Sequence, residues 1–157
     1  MTDTAGLPEE IRKMLDGDDL AAQASLVFEL LTVAPSGWPH VALLSVGEVV
    51  ALDEHSVGLA LWPTSTTTDN LQRSGRALLQ IYLDGAAYRL RLAARPLADD
   101  LGGGKLALFS ARVESTVRDE VSYARITSGP TIELAHAERA VARWRSQVES
   151  IRRAAST

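Results

Sequence analysis

A chain of 157 residues with 46% hydrophobic and 23% charged side chains fits a single domain that buries a sizeable core without covalent staples. Its net charge of −4 offers no global attraction to nucleic acid or an anionic membrane surface. The absence of cysteine and the presence of only three dispersed histidines exclude thiol catalysis and disulfides, and leave no metal-ligand spacing.

The first residues lack the basic and apolar stretches of a signal peptide, and no run approaches the ~18 apolar residues of a membrane span. The expectation is one soluble, cytoplasmic domain over residues 1–157. Pro8 suits a first helical turn, and Glu9 and Glu10 complement its positive end, so a helix is predicted over residues 7–15. Asp16-Gly17-Asp18-Asp19 stops it. Alanine-rich residues 20–25 read as helical and apolar residues 26–33 as a buried strand. Pro35, Gly37 and Pro39 punctuate a tight reversal into a second strand over residues 40–46, giving a hairpin.

Residues 49–52 and 56–62 flank the polar connection Asp53-Glu54-His55 as a further hairpin, so the sheet reads as an antiparallel meander. Hydroxyls at Ser65, Thr66, Thr67 and Thr68, with Asp69 behind them, predict a capped helix ending near Gly75. Strands follow over residues 76–83 and 87–97, joined by Asp84-Gly85, a dipeptide of two-residue hairpin turns. Residues 98–105 carry three glycines but not the Walker spacing, and read as a flexible connection. A long strand is predicted over 106–117 and shorter ones over 123–126 and 131–134. The last element is a helix over 136–154, with Ala140, Val141, Trp144, Val148 and Ile151 on one side. It is expected to pack on the barrel or on a partner. Six or more antiparallel strands with a few helices make a mainly-β α+β barrel.

The order Gly37-Trp38-Pro39-His40-Val41-Ala42-Leu43-Leu44-Ser45, then a meander, then Ser65-Thr66-Thr67-Thr68-Asp69-Asn70-Leu71 before another strand resembles the pyridoxamine 5'-phosphate oxidase-like FMN-binding split-barrel family. The resemblance covers roughly residues 7–97. It implies an antiparallel split β-barrel with peripheral helices, a homodimer with cofactor sites between subunits, and FMN serving oxidoreduction of a small molecule. By this resemblance, His40, Val41, Ala42, Leu43, Leu44 and Ser45 match the strand that lines the flavin and reaches its phosphate. Ala60 and Leu61 match the pair beside the isoalloxazine. Ser65, Thr66 and Thr67 match the helix start that clamps phosphate, and Arg89 matches a later flavin contact. No residue is assigned a catalytic role.

The family usually carries cations where this chain has Ser45, Thr66 and Thr67. A phosphate dianion removed from water needs compensating charge or several good hydrogen bonds. Hydroxyls and helix N-terminal amides can supply the latter, Asp69 works against it, and Arg73, Arg76, Arg89 and Arg91 are candidates for the missing charge. Two other readings stay open: a reductase using the deazaflavin F420, which related split barrels use, and a binding or assembly module without cofactor. Trp38 and Trp62, beside prolines at strand ends, read as interface residues more than pocket walls. His40 reads as structural or exposed more than catalytic. The arginines of the last helix interleave with Glu138 and Glu149 as a solvated face.

Overall fold

Period-two alternation of apolar residues produces an eight-stranded antiparallel sheet, described by a computed structural model over residues 2–98 and 105–156. Residues 99–104 of the expected glycine-rich connection lie outside the described residues. The elements run β1 (Thr2–Thr4), α1 (Glu9–Met14), β2 (Val27–Val33), β3 (Pro39–Ser45), β4 (Val49–Ala51) and β5 (Ser56–Leu61). They continue with α2 (Thr66–Ser74), β6 (Arg76–Leu83), β7 (Ala86–Leu97), β8 (Ala107–Asp119) and α3 (Ala137–Ala155). The architecture is a strongly curled, half-barrel antiparallel sheet with peripheral helices, a split barrel.

The strand order is β3-β2-β6-β7-β8-β5-β4, with β1 added on β8, and this corrects the simple meander. The β2–β3 and β4–β5 hairpins pair with opposite sides of the long β6–β7–β8 unit, β2 with β6 and β5 with β8. The long central strands give β5 a ladder along its whole length and β2 a ladder over Glu29, Leu30 and Leu31, which satisfies backbone groups that would otherwise face outward at an edge. At the β6–β7 turn Asp84 and Gly85 have φ of 51° and 81°, the left-handed pair that matches the twist of the strands.

Two further expectations fail locally. Residues 20–25 make turns rather than a helix: Gln23 N–H bonds Asp19 C=O, and Leu26 N–H then bonds Gln23 C=O as the chain enters β2. One turn repays little of the cost of helix nucleation, and Leu20 anchors the segment in the core instead. The short strands expected over 123–126 and 131–134 are reduced to the isolated bridges Val121–Ala124 and Leu26–Thr131. Pro130 lacks a donor, and Ile126 and Ile132 N–H groups bond Gly85 and Ser25 carbonyls instead of a ladder.

Helix α3 lies on the barrel, and Ala140, Val141, Trp144, Val148 and Ile151 are all buried. Two glycines of the sheet end receive it. A Cβ at Gly47 would sit 2.0 Å from Trp144 Cγ, and one at Gly58 would sit 2.0 Å from Ile151 Cγ2. Both close approaches require glycine.

Candidate functional site around the start of helix α2

The two sheet margins meet through one turn. Glu48 N–H donates to Ser45 C=O at 3.0 Å, and Ala60 N–H donates to Glu48 C=O at 2.9 Å. This sets the end of β3, with Leu44 and Ser45, beside the end of β5, with Ala60 and Leu61. Four residues beyond Leu61, Ser65 caps α2, its Oγ accepting from Thr68 N–H. The helix then runs back along the first hairpin: Asn70 Nδ2 donates to Thr32 Oγ1 at 3.0 Å and Arg73 bonds the Val33 carbonyl. His40, opposite Thr32 in the β2–β3 ladder, therefore lies on the sheet face that α2 covers, and is half-buried.

The remaining β3 residues divide by face. Ala42 and Leu44 follow His40 inward, Leu44 being buried, whereas Val41 and Leu43 project outward and are exposed. Ser45 is buried and donates to Glu48 Oε1 at 2.7 Å. A phosphate at Ser45 would therefore meet a carboxylate. Burial pushes the Glu48 carboxyl above its ordinary range, opposed by the Ser45 hydrogen bonds and the Arg143 charge. Ala60 and Leu61 are both buried and pair with Leu108 and Ala107 of β8.

At the helix start the hydroxyls are not equivalent. Ser65 Oγ also donates to Thr68 Oγ1 at 3.0 Å, and Thr68 Oγ1 donates to Trp62 C=O at 2.6 Å. Both are consumed by the cap. Thr67 is buried, whereas Thr66 is exposed. The first-turn amides of Thr66 and Thr67 and the Thr66 hydroxyl are the donors left for an anion at this positive helix end.

None of the four candidate arginines reaches that end. Arg73 sits in the last turn of α2, roughly 12 Å along the axis at 1.5 Å per residue. Arg89 is committed on the sheet's outer face, its Nε donating to Gln80 at 2.9 Å and its Nη1 to Asp119 at 2.7 Å. Arg76 and Arg91 line an outer cleft of about 560 Å³ with Leu31, Val33, Leu78 and Glu114. That cleft adjoins exposed apolar side chains of the first hairpin: Val33, Trp38, Val41 and Leu43 are 51 to 75% exposed.

Three features escaped the sequence reading. Glu48 is a lone carboxylate between apolar neighbours in Val46-Gly47-Glu48-Val49-Val50, and that isolation is its signal in the sequence. The buried Asn70–Thr32 bond joins residues 38 positions apart, and the Glu29–Tyr82–Gln80 chain of hydrogen bonds spans β2 and β6; neither has a local signature. Among the described residues no group of histidines and carboxylates could hold a metal ion, and no helix is long and apolar enough to cross a membrane.

Comparison with known proteins adds the following. No protein-family model matches. The chain is 34% identical to the uncharacterized protein YclD of Bacillus subtilis (strain 168) over 148 residues, covering 94% of this chain and 96% of that protein. Among solved structures it is similar to a candidate pyridoxamine 5'-phosphate oxidase from Lactobacillus delbrueckii, with TM-score 0.58 and 18% identity over 74% of this chain and 99% of that one. An F420 reductase gives 0.54 and 12% over 71% and 98%. HutZ, the heme storage protein of Vibrio cholerae, gives 0.51 and 12% over 70% and 94%. At these identities the likeness is one of fold: a split barrel shared by proteins of different cofactors.

Proposed function

Because the chain belongs to the same family as YclD of Bacillus subtilis and folds as a pyridoxamine 5'-phosphate oxidase-like split barrel, we propose that it is a cytoplasmic, homodimeric FMN-binding protein supporting flavin-dependent oxidoreduction of a small molecule. The observation that carries this reading is the start of α2, where the Thr66 and Thr67 amides and the exposed Thr66 hydroxyl follow on the junction of β3 and β5. Those donors would hold the phosphate, with Leu44, Ala60 and Leu61 forming the apolar ground on which the ring system rests. His40 is covered by α2 and Arg89 is held by Asp119, so both act in support of the fold in this reading. FMN supplies the redox chemistry when bound. The chain's own residues position it and exclude water. The exposed apolar hairpin, Val33, Trp38, Val41 and Leu43, is the proposed contact between subunits.

Comparing FMN with riboflavin tests this, because the two differ by the phosphate. FMN should quench on titration and bind more tightly than riboflavin. Thr66→Ala should weaken FMN by about 1 to 3 kcal/mol while leaving riboflavin unchanged. Equal affinity for the two flavins would remove the phosphate from α2.

One observation favours a second reading, a split barrel that binds or assembles without flavin. Every arginine proposed to replace the missing cations lies elsewhere, and the Ser65 and Thr68 hydroxyls are spent on the cap. Absence of any response to FMN or F420, together with retained dimerisation, is the outcome that selects it.

A further inference from the structure

Helix α3 turns more than its core stripe toward the sheet. Beside the buried Ala140, Trp144, Val148 and Ile151, the residues Arg143, Ser146, Gln147 and Ser150 recur at the i, i+3, i+4, i+7 spacing that places side chains on one face. They line a groove of about 450 Å³ against Leu106, Leu108 and Trp62, within the size range of small-molecule sites. Ser146 and Ser150 are short, and leave open a space that leucines would fill. The Trp62 indole is 68% exposed, yet its backbone is fixed, the carbonyl accepting from Ser65 N–H at 3.1 Å and Thr68 Oγ1 at 2.6 Å.

Of the polar groups at this groove, Ser150 Oγ accepts from Arg153 at 3.4 Å. Arg143 and Lys105 both line it, and neither forms an ion pair among the described residues, although the chain is acidic overall. Arg143 feels the charge of Glu48, but the two make no direct bridge. Gln147 Oε1 is closed to solvent and has no hydrogen-bond partner among the described residues, so it is out of a ligand's reach. An apolar slot beside two cations that make no ion pair among the described residues describes a site for an anion.

We propose that this groove binds a flat amphipathic anion, an aromatic carboxylate. The ring system lies between Trp62 and the Leu106–Leu108 floor, and the carboxylate meets Arg143 and Lys105. The groove adjoins the proposed flavin ground, since Leu108 pairs with Ala60, but Arg143 and Lys105 play no part in holding flavin phosphate, and the double variant below separates the two readings.

Calorimetric titration of the full chain with 6-hydroxy-2-naphthoate tests it, with uncharged 6-hydroxy-2-naphthamide as the control. The expected result is one site per chain, with the double variant Arg143→Gln, Lys105→Gln weakening the naphthoate at least tenfold and leaving the naphthamide unchanged. Arg139→Gln, on the same helix outside the groove, should have no effect. The inference is overturned if the amide binds as tightly as the carboxylate, if the double variant keeps parental affinity, or if Arg139→Gln weakens binding equally. No binding at roughly millimolar probe overturns it as well. Circular dichroism of each variant establishes that the fold is retained.

Discussion

The two ends of this sheet use apolar residues in opposite ways. Where α3 meets β4, β5 and β8, Trp144 and Ile151 press onto Gly47 and Gly58 with no room for another carbon. At the β2–β3 hairpin, Trp38 is 75% and Leu43 55% exposed. Nothing among the described residues covers them. The first end seals the core, while the second lies open on the surface. The difference teaches that hydrophobicity alone does not locate the core: the close-fitting glycines do, and their absence from the hairpin goes with an exposed apolar surface of the kind the proposed subunit contact needs.

The contrast is broken most severely at the sealed end. Trp144→Ala should cost about 3 to 5 kcal/mol, read as a large fall in the denaturant midpoint with an unchanged slope. A loss under about 1 kcal/mol would mean that the α3 contact is not part of the folding core. At the hairpin the paired change Trp38→Ser, Leu43→Ser should alter protomer stability by no more than about 0.5 kcal/mol. It should nonetheless shift sedimentation from dimer to monomer. If the parent is monomeric at every concentration, the hairpin is not the subunit contact.

A smaller effect sits at the turn joining the margins. Burial raises the Glu48 carboxyl above its ordinary value, so the folded protein holds this proton more tightly than the unfolded chain. Stability from this residue is therefore greatest below the unfolded pKa, and falls as pH rises from there through the folded pKa. Glu48→Gln removes that fall while keeping an acceptor for Ser45. The variant should melt above the parent at neutral pH and together with it near pH 4; a lower melting point at neutral pH would show that the Ser45 and Arg143 interactions outweigh burial.

Much of the fold was legible because its signals are local. The core face of α3 follows from 3.6-residue spacing, the limits of α2 from Ser65 and Gly75, and the β6–β7 turn from Asp84-Gly85. Strand order was not legible, since the pairing of β2 with β6 brings together Glu29 and Gln80, which share no nearby sequence signal. The candidate site was legible as a set of positions but not as chemistry. That Ser65 and Thr68 spend their hydroxyls on a cap and that Ser45 faces Glu48 are set by side-chain orientation within local turns of three residues, and that Arg89 is held by Asp119 from 30 residues away is a consequence of tertiary geometry.

The central claim is that the helix start at Thr66 and Thr67 holds the phosphate of a flavin. Its most direct measurement is flavin fluorescence during titration of the purified protein with FMN and with riboflavin. Saturable quenching by one FMN per chain, with riboflavin bound at least tenfold more weakly, is the predicted result. No quenching by FMN, or indistinguishable affinities for the two flavins, would contradict it.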